Sequence, residues 1–215
     1  MQDTHTEPHW KSSALIIIDM QNAFVSPKIE KEGTKANRII SNIKVLLDAF
    51  RSKRMTIVHV VRSYNTDGSD ADIYRRGIIE RGEFVLSPGS DEVDMVSALK
   101  PPGAPALEFR ILKSGMLHGL GDNEMAMYKP RLGAFYNTPL EGWLKYRGVD
   151  TCVFAGTFFP TCVRTSITEA NERDFRTIAA KDAIFGIYDK AAKEIEAIGV
   201  VCLSAEEIVR FIMQY

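Results

Sequence analysis

Three residues of the 215-residue chain have the types and settings for nucleophilic hydrolysis: the carboxylate of Asp19, the ammonium of Lys129 and the thiol of Cys162. Each follows an apolar run. Asp19 follows Leu15-Ile16-Ile17-Ile18, Lys129 follows Met125-Ala126-Met127-Tyr128, and Cys162 follows Cys152-Val153-Phe154-Ala155 and a short connection. A thiolate attacks a carbonyl carbon, and a neighbouring carboxylate can take the thiol proton as general base. An ammonium beside them holds both groups in place and neutralises developing charge. Singly, each residue has a plainer account. An Asp at a strand end caps a turn, a Lys beside a Pro is solvated, and a free Cys is a small core hydrophobe. The joint placement raises the chemical reading above these.

The elements that position the thiol are legible between Val149 and Asp174. The run at Cys152–Ala155 has the length and β-branched and aromatic content of a buried strand, and Gly156 ends it. Thr157-Phe158-Phe159-Pro160-Thr161 makes a tight connection. Val163, Ile167 and Ala170 then recur at i, i+4 and i+7, one face of a helix, with Thr161 where its N-cap belongs. Cys162 therefore falls at a helix N-terminus beyond a strand end, where free N–H groups and the helix dipole favour an anion. A lowered thiol pKa is expected there, and N–H groups of the 157–162 turn can form an oxyanion hole.

The remaining chain alternates in the same way. Ala14–Ile18 is apolar on both faces, the mark of a central parallel strand. Pro27 and Gly33 punctuate the connection that follows. Ile39, Ile40, Ile43, Leu46, Leu47 and Phe50 form a helical stripe between about 35 and 53, and Met55–Val61 is a second strand. From Arg62 to about Gly89 the chain is polar and turn-rich, a loop long enough to suggest function. A short helix is expected over Asp91–Leu99, an apolar patch and a Gly-rich stretch over 104–123, a strand at Met125–Tyr128 and a helix from about Thr138 to Tyr146. Arg176–Ala180 and Val200–Leu203 read as the last strands, with a helix at about Asp189–Ile198 between them. Ser204 and Glu207 form a capping box for the final helix. This pattern predicts one three-layer α/β/α domain over 13–215, with a parallel, about six-stranded sheet, behind an N-terminal arm of residues 1–12 that is flexible or draped on the surface. In such folds the site lies beyond the C-terminal ends of the strands.

Composition excludes several classes. Net charge is -1, which gives no attraction for nucleic acid or an anionic membrane. The polar N-terminus lacks a signal-peptide core and no run is long enough to span a bilayer, so a cytoplasmic protein is expected. Three cysteines without a C-x-x-C pair argue against a disulfide scaffold or structural zinc, and the four histidines form no ligand pair. No metal or other cofactor is expected.

The patterns ALIIIDMQNAF, YKPRLGAFYNTPLEGWL, and GTFFPTCVRTSITEA followed by AAKDA resemble the isochorismatase-like cysteine hydrolase family over nearly the whole chain. The resemblance implies that Asp19, Lys129 and Cys162 form the catalytic triad. It implies an oxyanion hole from the backbone N–H groups of Cys162 and Phe158, a non-proline cis peptide at Thr157–Phe158, and assembly as a dimer or tetramer. Cys162 points to C–N hydrolysis rather than the vinyl-ether cleavage of true isochorismatases, which lack the cysteine. The stretch HVVRSYNTDGSD offers only His59 where nicotinamidases carry an Asp/His/His metal site. What remains is the group acting on ureido and carbamoyl compounds: biuret and triuret hydrolases, ureidoacrylate amidohydrolase and N-carbamoylsarcosine amidase. The RSYNTDGSD loop and the FFPTCVRTSITEANERDF stretch look most like the biuret/triuret side, with a neutral ureide as partner. The segment from about Pro102 to Asn123 is longer than the family's usual connection. A non-catalytic binding or assembly domain of the same fold is the rival.

Around the triad, Asn22, Phe24, Arg131, Tyr136 and Phe159 are the candidate substrate contacts. Phe24 is expected to line the pocket. Asn22 is suited to hydrogen-bond a ureido group or to cap a turn, Arg131 to bind a carbonyl or stay solvated, and Tyr136 and Phe159 to form walls. Cys152 and Cys202 are expected to be core thiols, His59 a core or subunit-contact histidine, and Trp143 helix packing.

Overall fold

The apolar runs pair into one seven-stranded sheet in a computed structural model that describes residues 4–25, 35–83 and 86–215. The strands are β1 (Ser13–Ile18), β2 (Thr56–Val61), β3 (His118–Gly121), β4 (Glu124–Tyr128), β5 (Thr151–Gly156), β6 (Arg176–Ile184) and β7 (Val201–Leu203), in the order β3-β4-β2-β1-β5-β6-β7. The helices are α1 (Asn22–Val25), α2 (Lys35–Ser52), α3 (Ile73–Glu80), α4 (Phe109–Lys113), α5 (Leu140–Tyr146), α6 (Arg164–Asn171), α7 (Asp189–Glu196) and α8 (Ala205–Met213). Strand β1 runs parallel to β2 on one side and β5 on the other, with Ile18 level with both Val60 and Gly156. Its side chains alternate between two cores. Ala14, Ile16 and Ile18 join residues of α5, α6 and α7, whereas Leu15 and Ile17 join those of α2 and α8. A strand apolar on both faces is thereby covered on both.

The expected count of about six strands falls one short. The missing element is β3, an antiparallel edge strand on β4. Its four residues, His118-Gly119-Leu120-Gly121, are too short and glycine-rich to register as a strand in sequence. The segment 104–123 thus holds α4 and β3, and the loop from Arg62 holds α3. The helix expected over Asp91–Leu99 is instead two 3₁₀ turns, Asp91–Val93 and Ser97–Leu99. The reason is backbone competition: the Asp94 carbonyl accepts from Asn22 N–H, and Val96 N–H donates to Met20 O. The apolar spacing at Val93, Val96 and Leu99 was real, since all three are buried, but its period of three fits 3₁₀ turns. Pro27 and Gly33 lie outside the described residues.

The described N-terminal residues pack against the body of the domain and its last helix. Trp10 stacks on Phe211 of α8 at 4.7 Å, and His9 Nδ1 lies 2.5 Å from Asp150 Oδ2, so the described part of the arm is draped on the domain. The expected capping box opens α8: Ser204 Oγ accepts from Glu207 N–H, and Glu207 Oε2 accepts from Ser204 N–H. Replacing Ser204 with alanine is expected to cost about 1 kcal/mol, a fall in Tm of about 2–4 °C for a chain of this size, read in a thermal melt. An unchanged Tm would show that α8 is held by packing alone. His59 is a core residue, as expected, hydrogen-bonded at 2.7 Å to Glu124, which also takes two bonds from Arg51. Among the described residues no helix is long and apolar enough to cross a membrane.

Candidate active site

Four adjacent strands end at one rim, and three of them deliver the chemical residues. Asp19 follows β1, its N–H bonded to the Val60 carbonyl, and Lys129 follows β4, its N–H bonded to the Val61 carbonyl. The parallel register β4-β2-β1 therefore brings residues 110 positions apart to the same level. Lys129 Nζ lies 2.9 Å from Asp19 Oδ2, with the side chains 0% and 1% exposed. The same ammonium donates to the carbonyls of Leu132 at 2.8 Å and Arg131 at 3.3 Å, which fixes its direction. A buried ion pair with its remaining donors satisfied is well defined in position.

The turn after β5 completes the set. Gly156 has φ 116°, and an added Cβ would lie 2.2 Å from the Ile18 carbonyl oxygen, so glycine lets β5 pass this close to β1. Thr157 N–H donates to Ile18 O, and Thr157 Oγ1 donates to Asp19 O, tying the turn to the end of β1. The Thr157–Phe158 peptide is cis, as the resemblance implied. Phe159–Val163 then forms a turn of π-helix that runs directly into α6. Thr161 lies inside this turn rather than at an N-cap, because the helical path begins at Phe159, three residues earlier than the apolar face showed. Ser166 Oγ donates to the Cys162 carbonyl and anchors the turn from α6.

Asp19 and Cys162 both line a cavity of about 440 Å³ over the strand ends, a size that suits a small molecule. The thiol is only 2% exposed. Its pKa is raised, against the expected lowering: burial disfavours the thiolate first, then the charge of Asp19, while Lys129 and Arg62 act in the other direction. The resting sulfur thus carries its proton, and ionisation has to be coupled to transfer onto a base. Cys152 is buried and inert, its thiol also pushed up by burial, whereas Cys202 is only partly buried.

The cavity wall differs from the sequence expectation. Phe24 lines it as expected, but Asn22, Arg131, Tyr136 and Phe159 do not. Asn22 Nδ2 donates to the Asp91 carbonyl and holds a turn. Arg131 donates to the Asp70 and Pro130 carbonyls, and Tyr136 is exposed. Phe159 is fully buried beneath the turn, and Phe158 faces the cavity in its place. Two consecutive phenylalanines point opposite ways, and sequence alone does not say which is inward. The residues that went unread are Tyr74, Arg75 and Ile78 of α3, together with Glu83, Thr157, Thr161 and Phe185. Arg75 is flanked by aromatic rings, 5.8 Å from the centroid of Phe24 and 5.2 Å from that of Tyr74. The length of the loop after β2 was the one signal for this wall. Among the described residues no three His, Cys, Asp or Glu side chains cluster as metal ligands.

Comparison with known proteins agrees with this architecture. The model of the isochorismatase domain matches residues 13–207. The ureidoacrylate amidohydrolase RutB of Cronobacter sakazakii is 30% identical over 186 residues, covering 80% of this chain and 74% of its own. A probable inactive nicotinamidase of Arabidopsis thaliana is 27% identical over 172 residues, 79% of this chain and 78% of its own. Among solved structures, an isochorismatase family protein from Desulfovibrio vulgaris superposes with a TM-score of 0.75 at 26% identity, covering 94% of this chain and 98% of its own. The N-carbamoylsarcosine amidase of Thermoplasma acidophilum shares the fold, with a TM-score of 0.69 at 20% identity over 91% of this chain and 97% of its own. With the isochorismatase domain model matching most of its length, the chain belongs to the isochorismatase family.

Proposed function

We propose that the protein is a cysteine amidohydrolase that cleaves a non-peptide C–N bond of a small ureido or N-carbamoyl compound. The observation that carries this reading is that Asp19, held by a buried ion pair with Lys129, lines the same cavity as the Cys162 thiol. Asp19 takes the thiol proton as sulfur attacks the substrate carbonyl, and the oxyanion is met by the N–H groups of Cys162 and Phe158. Collapse of the tetrahedral intermediate breaks the C–N bond, and the proton held by Asp19 passes to the departing nitrogen. Water, deprotonated by Asp19, then hydrolyses the thioester-like intermediate and frees the thiol. Lys129 keeps the carboxylate in register throughout and needs no proton of its own to move.

The substrate class we favour is a ureido or carbamoyl acid. A carboxylate-bearing substrate needs a cation, preferably a guanidinium, and Arg75 lies in the cavity wall with its Nε donating to the Tyr74 hydroxyl at 2.6 Å. The name of the Cronobacter relative, which acts on ureidoacrylate, agrees with this choice. A neutral ureide, biuret or triuret, is the second reading. It is favoured by Glu83, which lines the same cavity and would repel an anion, although Arg81 pairs with it at 2.5 Å. The test is ammonia release from ureidoacrylate and N-carbamoyl amino acids against biuret and triuret. The expected result is a preference of at least about tenfold in kcat/KM for a carboxylate-bearing compound, a difference of about 1.4 kcal/mol. Arg75→Gln should raise KM for that compound about tenfold or more, since a charge-assisted hydrogen bond contributes about 1.5–3 kcal/mol, and should leave biuret turnover little changed. A biuret or triuret preference of that size would replace the acid by the neutral ureide.

A further inference from the structure

The rim carries a second buried cation that this chemistry has not used. Arg62 follows β2, the strand that lies between β1 and β4, so the sheet order sets it between Asp19 and Lys129. Gln21 grips its backbone from both sides, accepting from Arg62 N–H at 2.8 Å and donating to Arg62 O at 2.8 Å. The side chain is 0% exposed. Its Nη2 donates to Asp72 Oδ2 at 2.5 Å, and the Tyr64 hydroxyl donates to the same oxygen at 3.1 Å. The guanidinium also lies 5.3 Å from the Tyr64 ring centroid. Among the described residues, Nε and Nη1 have no hydrogen-bond partner. Leaving two donors of a buried guanidinium unbonded is costly, and the single Asp72 contact does not explain why a charged arginine rather than an apolar side chain stands here.

Lys129 is already ion-paired with Asp19 and hydrogen-bonded to two carbonyls. Negative charge resides first on Asp19 and then on sulfur as the proton crosses between them. We infer that Arg62 is a positioning residue for this transfer, a fixed second cation whose field stabilises negative charge on the Cys162 sulfur. The inference rests on the reading of Cys162 as nucleophile. Consistent with it, Arg62 and Lys129 are the two cations that oppose the upward push of burial and Asp19 on the thiol. The charged groups that act on the sulfur are Asp19, which follows β1, Arg62, which follows β2, and Lys129, which follows β4. Arg75 and Glu83 line the same cavity, and Asp72 and Tyr64 act on Arg62.

The experiment is the pH profile of Cys162 alkylation by iodoacetamide, followed by peptide mapping, with Cys152 and Cys202 as internal references and a thermal melt to establish folding. It needs no substrate. In Arg62→Met the midpoint for Cys162 should move up by about one pH unit, which lowers the alkylation rate about tenfold at any pH below both midpoints. Arg62→Lys, which keeps the charge, should restore most of that loss. Asp72→Asn keeps the guanidinium and removes its counter-charge, so it should move the midpoint the opposite way, downward. General damage to the fold would not produce shifts of opposite sign. A folded Arg62→Met protein with the wild-type midpoint overturns the inference. If that variant does not fold, an unchanged or raised midpoint in Asp72→Asn overturns it equally. A wild-type Cys162 that resists alkylation across the whole pH range would instead remove the nucleophile reading, and the role of Arg62 with it.

Discussion

Cys162→Ser is expected to lose at least about a thousandfold in kcat, the order seen when a nucleophile is removed from a site that works as a unit, while still folding and binding substrate. The substitution exchanges one small side chain for another at a site that is 2% exposed, and Ser166 still holds the backbone carbonyl of residue 162. What changes is the acid that Asp19 must deprotonate. A hydroxyl is far less acidic than a thiol, and the burial that already pushes the thiol up acts on an alkoxide as well. Steady-state rates with binding measured separately by calorimetry check this. Intact-mass spectra of the wild type, quenched during turnover, should also show a covalent adduct on Cys162 that the variant lacks. A serine variant of near wild-type rate would mean that water attacks directly and that the thiol is a wall.

The second large effect is expected at Lys129. Lys129→Met removes the cation from an ion pair with both side chains buried and strips the carbonyls of Arg131 and Leu132 of their donor. Breaking a buried pair by deleting one partner costs about 3–5 kcal/mol, which at about 2–4 °C per kcal/mol for a domain of this size lowers Tm by about 10 °C. Activity should vanish with it. The informative comparison is the double variant Lys129→Met with Asp19→Asn. With no lone charge left, it should recover a substantial part of the lost stability and none of the activity. Equal melting temperatures for the single and double variants would show that the pair contributes through packing alone, and residual turnover in the single variant would remove Lys129 from the mechanism.

How far this site could be read before folding depended on the kind of signal. Asp19, Lys129 and Cys162 were visible because each lies just beyond an apolar run, and parallel strands buried on both faces leave such runs unbroken. The walls were harder. Phe158 and Phe159 are neighbours of equal hydrophobicity, yet one lines the cavity and the other is buried beneath the turn. The choice between them is made by the backbone path of residues 157–163, which no side-chain periodicity records. Arg75 stood in a loop that read only as long and polar; α3 is short, and its role as a wall comes from where it docks.

The linear pattern was sufficient for the α/β class, for the central parallel strands and for the placement of Asp19, Lys129 and Cys162 beyond their ends, because those follow from local hydrophobic period and from the rule that strand ends share a rim. Contacts between distant segments set everything else. The edge strand β3 exists because β4 offers it a partner, and the Asp91–Leu99 stretch is not one helix because Met20 and Asn22 take its backbone groups. The thiol's pKa is likewise a tertiary property. A helix N-terminus, visible in sequence, favours the thiolate, but burial and the carboxylate delivered by a strand more than a hundred residues away outweigh it. Electrostatics in a closed site depends on distances through space and on excluded water, and neither is encoded at any single position along the chain.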